Sequence, residues 1–263
     1  MRTLLGTAAL VGAILLCGCG ARERPADKTE PASAELLLYC GAGLRPVADD
    51  LVSIFESTHQ AKVAVDYSGS EVLLSKIRVV HKGDLYMPGE RHYIEQAAHE
   101  NMILSQTPVC YFVPTILVQK GNPRNIRSLK DLTGPGVKIG LGNPQACAVG
   151  RTTRQVLDKN GISWGDIEKN VAFQSLTVNE LGLQIQAGAL DAVIVWDAVA
   201  KYYQSYGEEV AIPMRENVIS AVDIGVLSFS RNRSMAEEFA RFAASEQGKT
   251  IFRKHRYTVE LPQ

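Results

Sequence analysis

The chain has 263 residues, of which 46% are hydrophobic and 21% are charged, so it can bury the core of one large domain or of two lobes. Lysine and arginine together number 28, as do aspartate and glutamate, which gives a formal net charge of zero. This balance excludes the basic surface that binding to nucleic acid or to an acidic membrane surface requires. A small ligand would have to be held by local hydrogen-bond donors.

The N-terminus has the layout of a secretory signal. A positively charged start precedes an apolar run from Leu4 to Leu16, which is too short to span a bilayer. The run leads into Leu-Cys-Gly-Cys at residues 16–19, and the small residue before Cys19 resembles a bacterial lipobox. Residues 1–18 are therefore predicted to be a lipoprotein signal peptide, with Cys19 lipidated and anchored to the membrane. The alternative is plain secretion with cleavage elsewhere.

The remaining cysteines do not form a metal-binding pattern. Once the signal is removed and Cys19 is lipidated, Cys40, Cys110 and Cys147 remain, so at least one thiol is free, and one disulfide is allowed in an oxidising compartment. No Cys-x-x-Cys spacing occurs among them, which disfavours a structural zinc site. Each is interpreted as a small buried side chain.

Residues 19–33 are polar and punctuated by proline, which predicts a flexible tether, and strands alternate with helices after them. Apolar runs and helical spacing predict a strand at 35–39, a helix at 44–55, strands at 62–67 and 83–87, and a helix at 91–100. Between 70 and 80 a further helix is predicted, with Ser70 as its N-cap. This alternation predicts βαβ units and a mainly parallel sheet, with Gly43 and Ser70 on one ligand-binding rim.

The second half of the chain repeats this alternation. A crossing between lobes is predicted at 109–119, where Pro114 indicates an edge strand or a bend, and a second candidate crossing at 219–229. The strand at 137–141 breaks at Gly-Asn-Pro and a helix begins near residue 148, which either leaves anion-attracting amides at its N-terminus or forms only an ordinary strand-to-helix turn. Later elements are predicted as a strand at 171–173, a capping-box helix from 177, a strand at 192–196, a helix at 197–206, a strand at 209–212 and a helical region at 234–252. Val149, Val178 and Trp196 then share a second rim.

Five motifs carry a family resemblance. Gly-Asn-Pro-Gln-Ala-Cys-Ala-Val-Gly-Arg at 142–151 resembles a glycine- and proline-containing segment of the molybdate-binding proteins of ABC importers. The same order of motifs is kept in four further stretches, Tyr-Cys-Gly-Ala-Gly-Leu at 39–44, Tyr-Ser-Gly-Ser-Glu at 67–71, Gly-Asp-Leu-Tyr-Met-Pro at 83–88 and Asp-Ala-Val-Ile-Val-Trp at 191–196. The chain is similar to molybdate- and tungstate-binding proteins of the type II solute-binding family over nearly everything after residue 35.

This resemblance implies a fold and partners. The fold is an α/β, two-lobed periplasmic-binding-protein fold, with a mainly parallel sheet flanked by helices in each lobe and a ligand cleft between the lobes. Lobe I would comprise 34–115 and 222–263, and lobe II 116–221. The protein would be an extracytoplasmic, lipid-anchored monomer without a cofactor or an enzymatic activity. It would deliver molybdate or tungstate to the permease and ATPase of an ABC importer.

The resemblance also implies a ligand set, in which the metal is bound only as its oxyanion. By position, the ligands fall at Gly43, Ser70, Val149, Val178 and Trp196, where Gly43 and Trp196 replace the serine and tyrosine that are usual in the family. Other interpretations stay open. Ser70 could be merely a helix cap, and Trp196 could merely pack in the core.

Two charged residues lie close in sequence to the predicted ligands. Glu71 and Arg151 are interpreted as solvated side chains, although Glu71 could approach the ligand and Arg151 could influence the cleft potential.

Sulfate or phosphate could replace molybdate, and ferric iron would need paired tyrosines such as Tyr202 and Tyr203, which point apart on a helix. An enzyme using Cys40 or Cys147 is a further alternative, but no local histidine accompanies either.

Overall fold

The computed structural model describes residues 34–261. The predicted signal peptide (residues 1–18), the lipidation site Cys19 and the tether (residues 19–33) lie outside these residues. Within 34–261 the chain forms ten strands and nine α-helices, which alternate along most of its length as the apolar spacing predicts. No helix in that range is both long enough and apolar enough to cross a membrane.

Short strands and helices of one to four turns make up the molecule. The strands are β1 (Ala34–Gly41), β2 (Ala61–Ser68), β3 (Leu85–Met87), β4 (Ile103–Phe112), β5 (Pro114–Gln119), β6 (Ile139–Gly142), β7 (Val171–Ser175), β8 (Ala192–Trp196), β9 (Gly207–Ala211) and β10 (Ser220–Leu227). The helices are α1 (Arg45–Thr58), α2 (Ser70–Val80), α3 (Arg91–His99), α4 (Ala148–Lys159), α5 (Trp164–Glu168), α6 (Val178–Gln186), α7 (Asp197–Tyr202), α8 (Arg233–Ala244) and α9 (Glu246–Lys254).

The strands form two sheets, one in each lobe. Lobe I contains the sheet β2-β1-β3-β10-β4, and lobe II contains the sheet β7-β6-β8-β5-β9. The βαβ strands of each sheet are parallel, as predicted. However, β10 runs antiparallel to β3 and β4, and β5 runs antiparallel to β8 and β9. The two α/β lobes are therefore confirmed. Each sheet is mixed, because one strand that adjoins a crossing between the lobes runs antiparallel to its neighbours.

The chain crosses between the lobes twice. The first crossing is at Val113, between β4 and β5, so Pro114 marks a bend rather than an edge strand, since β5 lies inside its sheet. The return crossing is at 212–219, and the predicted crossing at 219–229 is instead mostly β10. The predicted lobe boundaries near 115 and 221 stay a prediction, because the strand order of the sheets does not test where a domain begins or ends.

Further elements differ from the sequence prediction, among them β4, which begins at Ile103, before the predicted run at 109–119. The short helix α5 was not predicted, and α7 ends at Tyr202 rather than at Tyr206. The closing helical region divides into α8 and α9 at Ser245, whose hydroxyl accepts a hydrogen bond from the N–H of Gly248 at 3.2 Å. This N-cap starts a second helix, whereas the continuous apolar spacing predicts a single helical region.

The turns that follow the strands of lobe I lie opposite the turns that follow the strands of lobe II. In lobe I, β1 and β2 end next to the 3₁₀ turn Ala42–Leu44 and the start of α2. In lobe II, β6 and β7 end next to the starts of α4 and α6, and β8 ends at Trp196. Carboxyl ends of parallel strands share one edge of a sheet, so both edges supply loops and helix N-termini to the space between the lobes.

Candidate functional site

A small cavity between the lobes brings the predicted site residues together. Its lining includes Gly43 and Ser70 from lobe I, and Val149, Val178 and Trp196 from lobe II. The sequence places these residues on two separate rims, and the structure shows that the rims face each other across one space. Their contact with a ligand stays a prediction.

The cavity is compact and uncharged. The volume open to the centre of a water molecule is about 20 Å³, and no lysine, arginine, histidine, aspartate or glutamate lies among its lining residues. A void of this volume admits a rounded group with a radius of ~3 Å, once the radius of water is added to that of the void. This is the scale of one tetrahedral oxyanion. Such an ion would be held here by neutral groups alone.

Three α-helices begin at the cavity wall without a side-chain cap. The N-cap residues Gly69, Cys147 and Thr177, which precede α2, α4 and α6, all line the cavity, and none accepts a capping hydrogen bond through its side chain. The first-turn N–H groups, which include those of Val149 and Val178, have no partner within their own helix. Together with the helix dipoles, these groups favour a negative charge in the cavity.

Ser70 does not cap α2, so that prediction is wrong. Gly69 is the N-cap residue, and Ser70 is the first residue of the helix. The side-chain oxygen of Ser70 accepts the backbone N–H of Gly89 at 3.0 Å, and its carbonyl oxygen accepts the hydroxyl of Tyr86 at 2.7 Å. These two bonds fix the position of Ser70, which is only 3% exposed. Its hydroxyl proton has no acceptor among residues 34–261 and can therefore be donated into the cavity.

Gly43 and Trp196 fit together at one end of the cavity. A Cβ atom at Gly43 would lie 2.8 Å from Cγ1 of Val178 and 3.3 Å from Cδ1 of Trp196. The indole of Trp196 stacks on the ring of Phe112 with a centroid distance of 4.7 Å. Trp196 thus packs in the core, as one interpretation predicts, and also lines the cavity. The absence of a side chain at Gly43 leaves room for this large ring.

Two hydroxyl groups were missed by the sequence analysis. Ser68 ends β2 and Thr177 precedes α6, and both residues line the cavity. Neither side chain has a hydrogen-bond partner within the part of the chain that the structure describes. Their position in the sequence could have identified them, because each hydroxyl residue lies between the end of a strand and the start of a predicted helix.

The cysteines are buried thiols. Cys40, Cys110 and Cys147 are not joined by disulfides, and Cys147 lies in the cavity wall. Burial raises the pKa of Cys147 to about 11, and it raises the pKa values of Cys40 and Cys110 as well. A thiol with a raised pKa is protonated near neutral pH and is a poor nucleophile. The site therefore lacks the chemistry that the thiol-enzyme alternative needs.

The other titratable candidates face away from the cavity. The carboxylate of Glu71 pairs with Arg78 at 2.9 Å, outside the cavity lining. Tyr202 is 70% exposed, whereas Tyr203 is buried and its hydroxyl is 3.4 Å from the carbonyl oxygen of Asn179. Neither tyrosine lines the cavity, so the pair does not form the phenolate site that ferric iron would need.

Direct contacts join the two lobes around the cavity. The backbone N–H of Glu71 donates to the carbonyl oxygen of Ala146 at 3.2 Å, and the side chain of Asn179 donates to the carbonyl oxygen of Ala42 at 3.0 Å. Arg151 forms an ion pair with Glu90 across the cleft and is therefore not the solvated side chain predicted from the sequence. Burial raises the pKa of Glu90 to about 7, although Arg151 acts in the opposite direction.

Residues 36–258 match the sequence family described as bacterial extracellular solute-binding protein. The chain belongs to this family. Its members are solute-binding components of ABC importers rather than enzymes, and they act outside the cytoplasm. This chain is accordingly an extracytoplasmic solute-binding protein of the ABC-importer type, with small-molecule, permease and ATPase partners.

Individual curated relatives of this solute-binding protein are distant in sequence. A binding protein from Haemophilus influenzae is 26% identical over 84% of this chain and 89% of its own length. The molybdate-binding protein ModA of Mycobacterium bovis is 23% identical over 95% of both chains. These values leave the ligand of this protein to be argued from its own site.

Solved structures share the fold of the solute-binding protein. The periplasmic molybdate-binding protein of Azotobacter vinelandii has a TM-score of 0.74 at 16% identity, covering 87% of this chain and 100% of that chain. The sulfate-binding protein SubI of Mycobacterium tuberculosis has a TM-score of 0.75 at 16% identity, covering 85% and 86% respectively. The predicted two-lobed periplasmic-binding-protein fold is thereby confirmed.

Proposed function

We propose that this solute-binding protein captures one molybdate or tungstate ion in the cavity between its lobes and delivers it to an ABC permease. The observation that carries the proposal is the meeting of three uncapped helix N-termini and the Ser70 hydroxyl in one uncharged cavity. A buried dianion needs its lost hydration replaced by donors aimed at its oxygens. Amide and hydroxyl groups supply such donors without a titrating proton.

The absence of carboxylates from the cavity lining bears on the choice of anion. Phosphate is protonated in part near neutral pH, and a buried P–O–H group needs an acceptor. Molybdate and tungstate carry no proton at that pH and are satisfied by donors alone. The uncharged lining therefore favours a fully deprotonated dianion over phosphate.

Sulfate is the second candidate. It is also a proton-free tetrahedral dianion, and a structural neighbour of this chain is described as a sulfate-binding protein. The same neutral donors would serve sulfate, so discrimination depends on the size of the cavity and on the distance from each donor to the nearest anion oxygen. A sulfate-binding protein and ModA are both among the relatives at 23% identity, so molybdate is preferred only because the resemblance in the five motifs is to molybdate-binding proteins.

The proposal extends to the location of the protein. Lipidation at Cys19 and a flexible tether over residues 19–33 would keep a monomeric protein near its permease at the outer face of the membrane. Metabolic labelling with a fatty-acid analogue tests this part separately. Labelling of the wild type but not of a Cys19→Ser variant is expected, and equal labelling of both would contradict the anchor.

Isothermal titration calorimetry tests the choice of ligand. The full chain is titrated in turn with molybdate, tungstate, sulfate and phosphate at equal ionic strength. We expect one molybdate or tungstate ion per chain, with sulfate and phosphate at least tenfold weaker, a difference of about 1.4 kcal/mol. Equal or tighter binding of sulfate would reject molybdate as the ligand, and no binding of any anion would reject the oxyanion site.

A further inference from the structure

The ion pair between Glu90 and Arg151 connects two segments that line the cavity, one from each lobe. Glu90 follows Gly89, whose backbone N–H fixes the Ser70 hydroxyl, and it is the residue before α3. Arg151 lies in the first turns of α4, two residues after Val149. The pair therefore links the Ser70 wall of lobe I to the Val149 wall of lobe II.

This pair is more buried than an ordinary surface ion pair. Glu90 is only 8% exposed, and the side chain of Arg151 is 30% exposed. One carboxylate oxygen of Glu90 contacts the guanidinium of Arg151, and the other, Oε2, is buried without a hydrogen-bond partner in the described part of the chain. Since the partners belong to different lobes, separation of the lobes would break the contact. In the closed arrangement alone, removal of the guanidinium would leave the Glu90 carboxylate buried without any partner, so the loss of Arg151 disfavours closure.

We propose that Glu90 and Arg151 are positioning residues that keep the two lobes closed over the cavity and thereby set how long a ligand stays bound. Neither residue lines the cavity, so their effect reaches the ligand through the positions of Ser70 and Val149. The inference rests on the proposed function only where a bound oxyanion is concerned. Closure of the lobes can be measured without any ligand.

The backbone N–H of Glu71 provides that measurement. It lies in the first turn of α2, where it has no partner within the helix, and it donates to Ala146 of the opposite lobe at 3.2 Å. This amide can exchange with solvent once the lobes separate. Its hydrogen-exchange rate therefore reports opening of the cleft, whereas amides in the middle of β1 or β6 report larger unfolding events.

The chain offers a matched control for Arg151. Arg154 lies one turn further along α4, and its guanidinium is 5.2 Å from the ring centroid of Trp164 in the same lobe. Arg151→Met and Arg154→Met remove the same charge from the same helix. Only the first removes a contact between the lobes. Arg151→Lys keeps a cation that can reach Glu90 and serves as the conservative variant.

Hydrogen exchange of the ligand-free full chain is the decisive experiment. We expect the Glu71 amide to exchange about tenfold faster in Arg151→Met than in the wild type, while Arg154→Met leaves it unchanged and Arg151→Lys restores most of the protection. Unchanged exchange in Arg151→Met, or an equal change in Arg154→Met, would overturn the role of the pair.

Ligand kinetics give a second and separable result. For an oxyanion that binds the wild type, Arg151→Met should raise the dissociation rate about tenfold and change the association rate far less. An effect confined to the association rate would contradict a closing role. Failure of all four oxyanions to bind would reject the proposed function, and the hydrogen-exchange result would still decide whether Glu90 and Arg151 hold the lobes together.

Discussion

At the scale of single residues, Ser70 supplies the cavity with a hydroxyl group whose oxygen accepts the N–H of Gly89 and whose proton has no acceptor among residues 34–261. The resemblance and the strand–helix spacing located Gly43, Ser70, Val149, Val178 and Trp196, because these positions follow the ends of buried strands. Glu90 and Arg151 were not found as a pair, since 61 residues separate them and no local pattern joins them. Contacts between lobes depend on how whole sheets are placed.

Ser70→Ala is the most direct test at this scale. Loss of the hydroxyl should weaken oxyanion binding by about 1–3 kcal/mol, because a donor to a buried charge is removed. Calorimetry measures the dissociation constant. Ser75→Ala is the matched control, since Ser75 lies on the same helix and its hydroxyl contacts Glu71 in an exposed position. Equal affinity of Ser70→Ala and the wild type would remove the hydroxyl from the ligand set.

Thiol reactivity follows from the burial of the cysteines. A raised pKa leaves little thiolate below the pKa, so alkylation of Cys147 should be slow at pH 8 and should accelerate as the pH approaches about 11. Cys40 and Cys110 should also be protected in the folded protein, because burial raises their pKa values. Mass spectrometry after iodoacetamide treatment, with and without denaturant, checks this. Rapid native alkylation of Cys147 at pH 8 would contradict it.

At the scale of elements, the sequence predicts strands and helices well where the apolar pattern is strong. The starts of α4 and α6 agree with the prediction, because each follows the end of an apolar strand. The predicted capping box of α6 is wrong, since Thr177 makes no side-chain cap and the carboxylate of Glu180 accepts the N–H of Leu176 instead. The antiparallel direction of β5 and β10 could not be predicted, since an apolar run is compatible with either direction. The five-residue helix α5 is too short to give a periodic signal.

Proline at the start of α6 tests the role of the backbone amide. Val178 is the first residue of α6, and Thr177 before it has an extended backbone, so Val178→Pro removes the N–H group at a position that proline tolerates. We expect at least a tenfold loss of oxyanion affinity, or about 1.4 kcal/mol, with a small change in melting temperature.

Two control variants separate the loss of the Val178 N–H group from the other effects of the proline substitution. Val178→Ala shortens the side chain and keeps the N–H group, so it should retain most of the affinity. Glu246→Pro places proline at the first position of α9, after Ser245 in an extended conformation and away from the cavity lining. If Val178→Ala loses as much affinity as Val178→Pro, the side chain and not the amide is responsible.

At the scale of the whole molecule, the lobes are in close contact beside the cavity. Gly69 lies so near lobe II that a Cβ atom would be 2.5 Å from the carbonyl oxygen of Leu176 and 2.7 Å from that of Ala146. Its backbone angles, φ −65° and ψ 147°, are accessible to alanine. A side chain at this position therefore opposes closure without straining lobe I.

Gly69→Ala should hold the lobes apart. We expect weaker oxyanion binding and, at saturating ligand, a larger radius of gyration by small-angle X-ray scattering than for the wild type. Gly165→Ala is the control, because a Cβ atom there meets no other heavy atom within 4 Å. A ligand-bound Gly69→Ala protein with wild-type dimensions and affinity would show that closure tolerates the added methyl group.

The central claim is that neutral donors from both lobes converge on one doubly negative ion. A crystal structure of the protein with tungstate tests it most directly, because the anomalous signal of tungsten locates the ion. We predict one tungsten peak in the cavity, with oxyanion oxygens in hydrogen-bond contact with Ser70 and with the backbone N–H groups of Val149 and Val178. A peak only in the separate groove of about 470 Å³ beside Arg45 and Lys254, or no peak at full saturation, would contradict the claim.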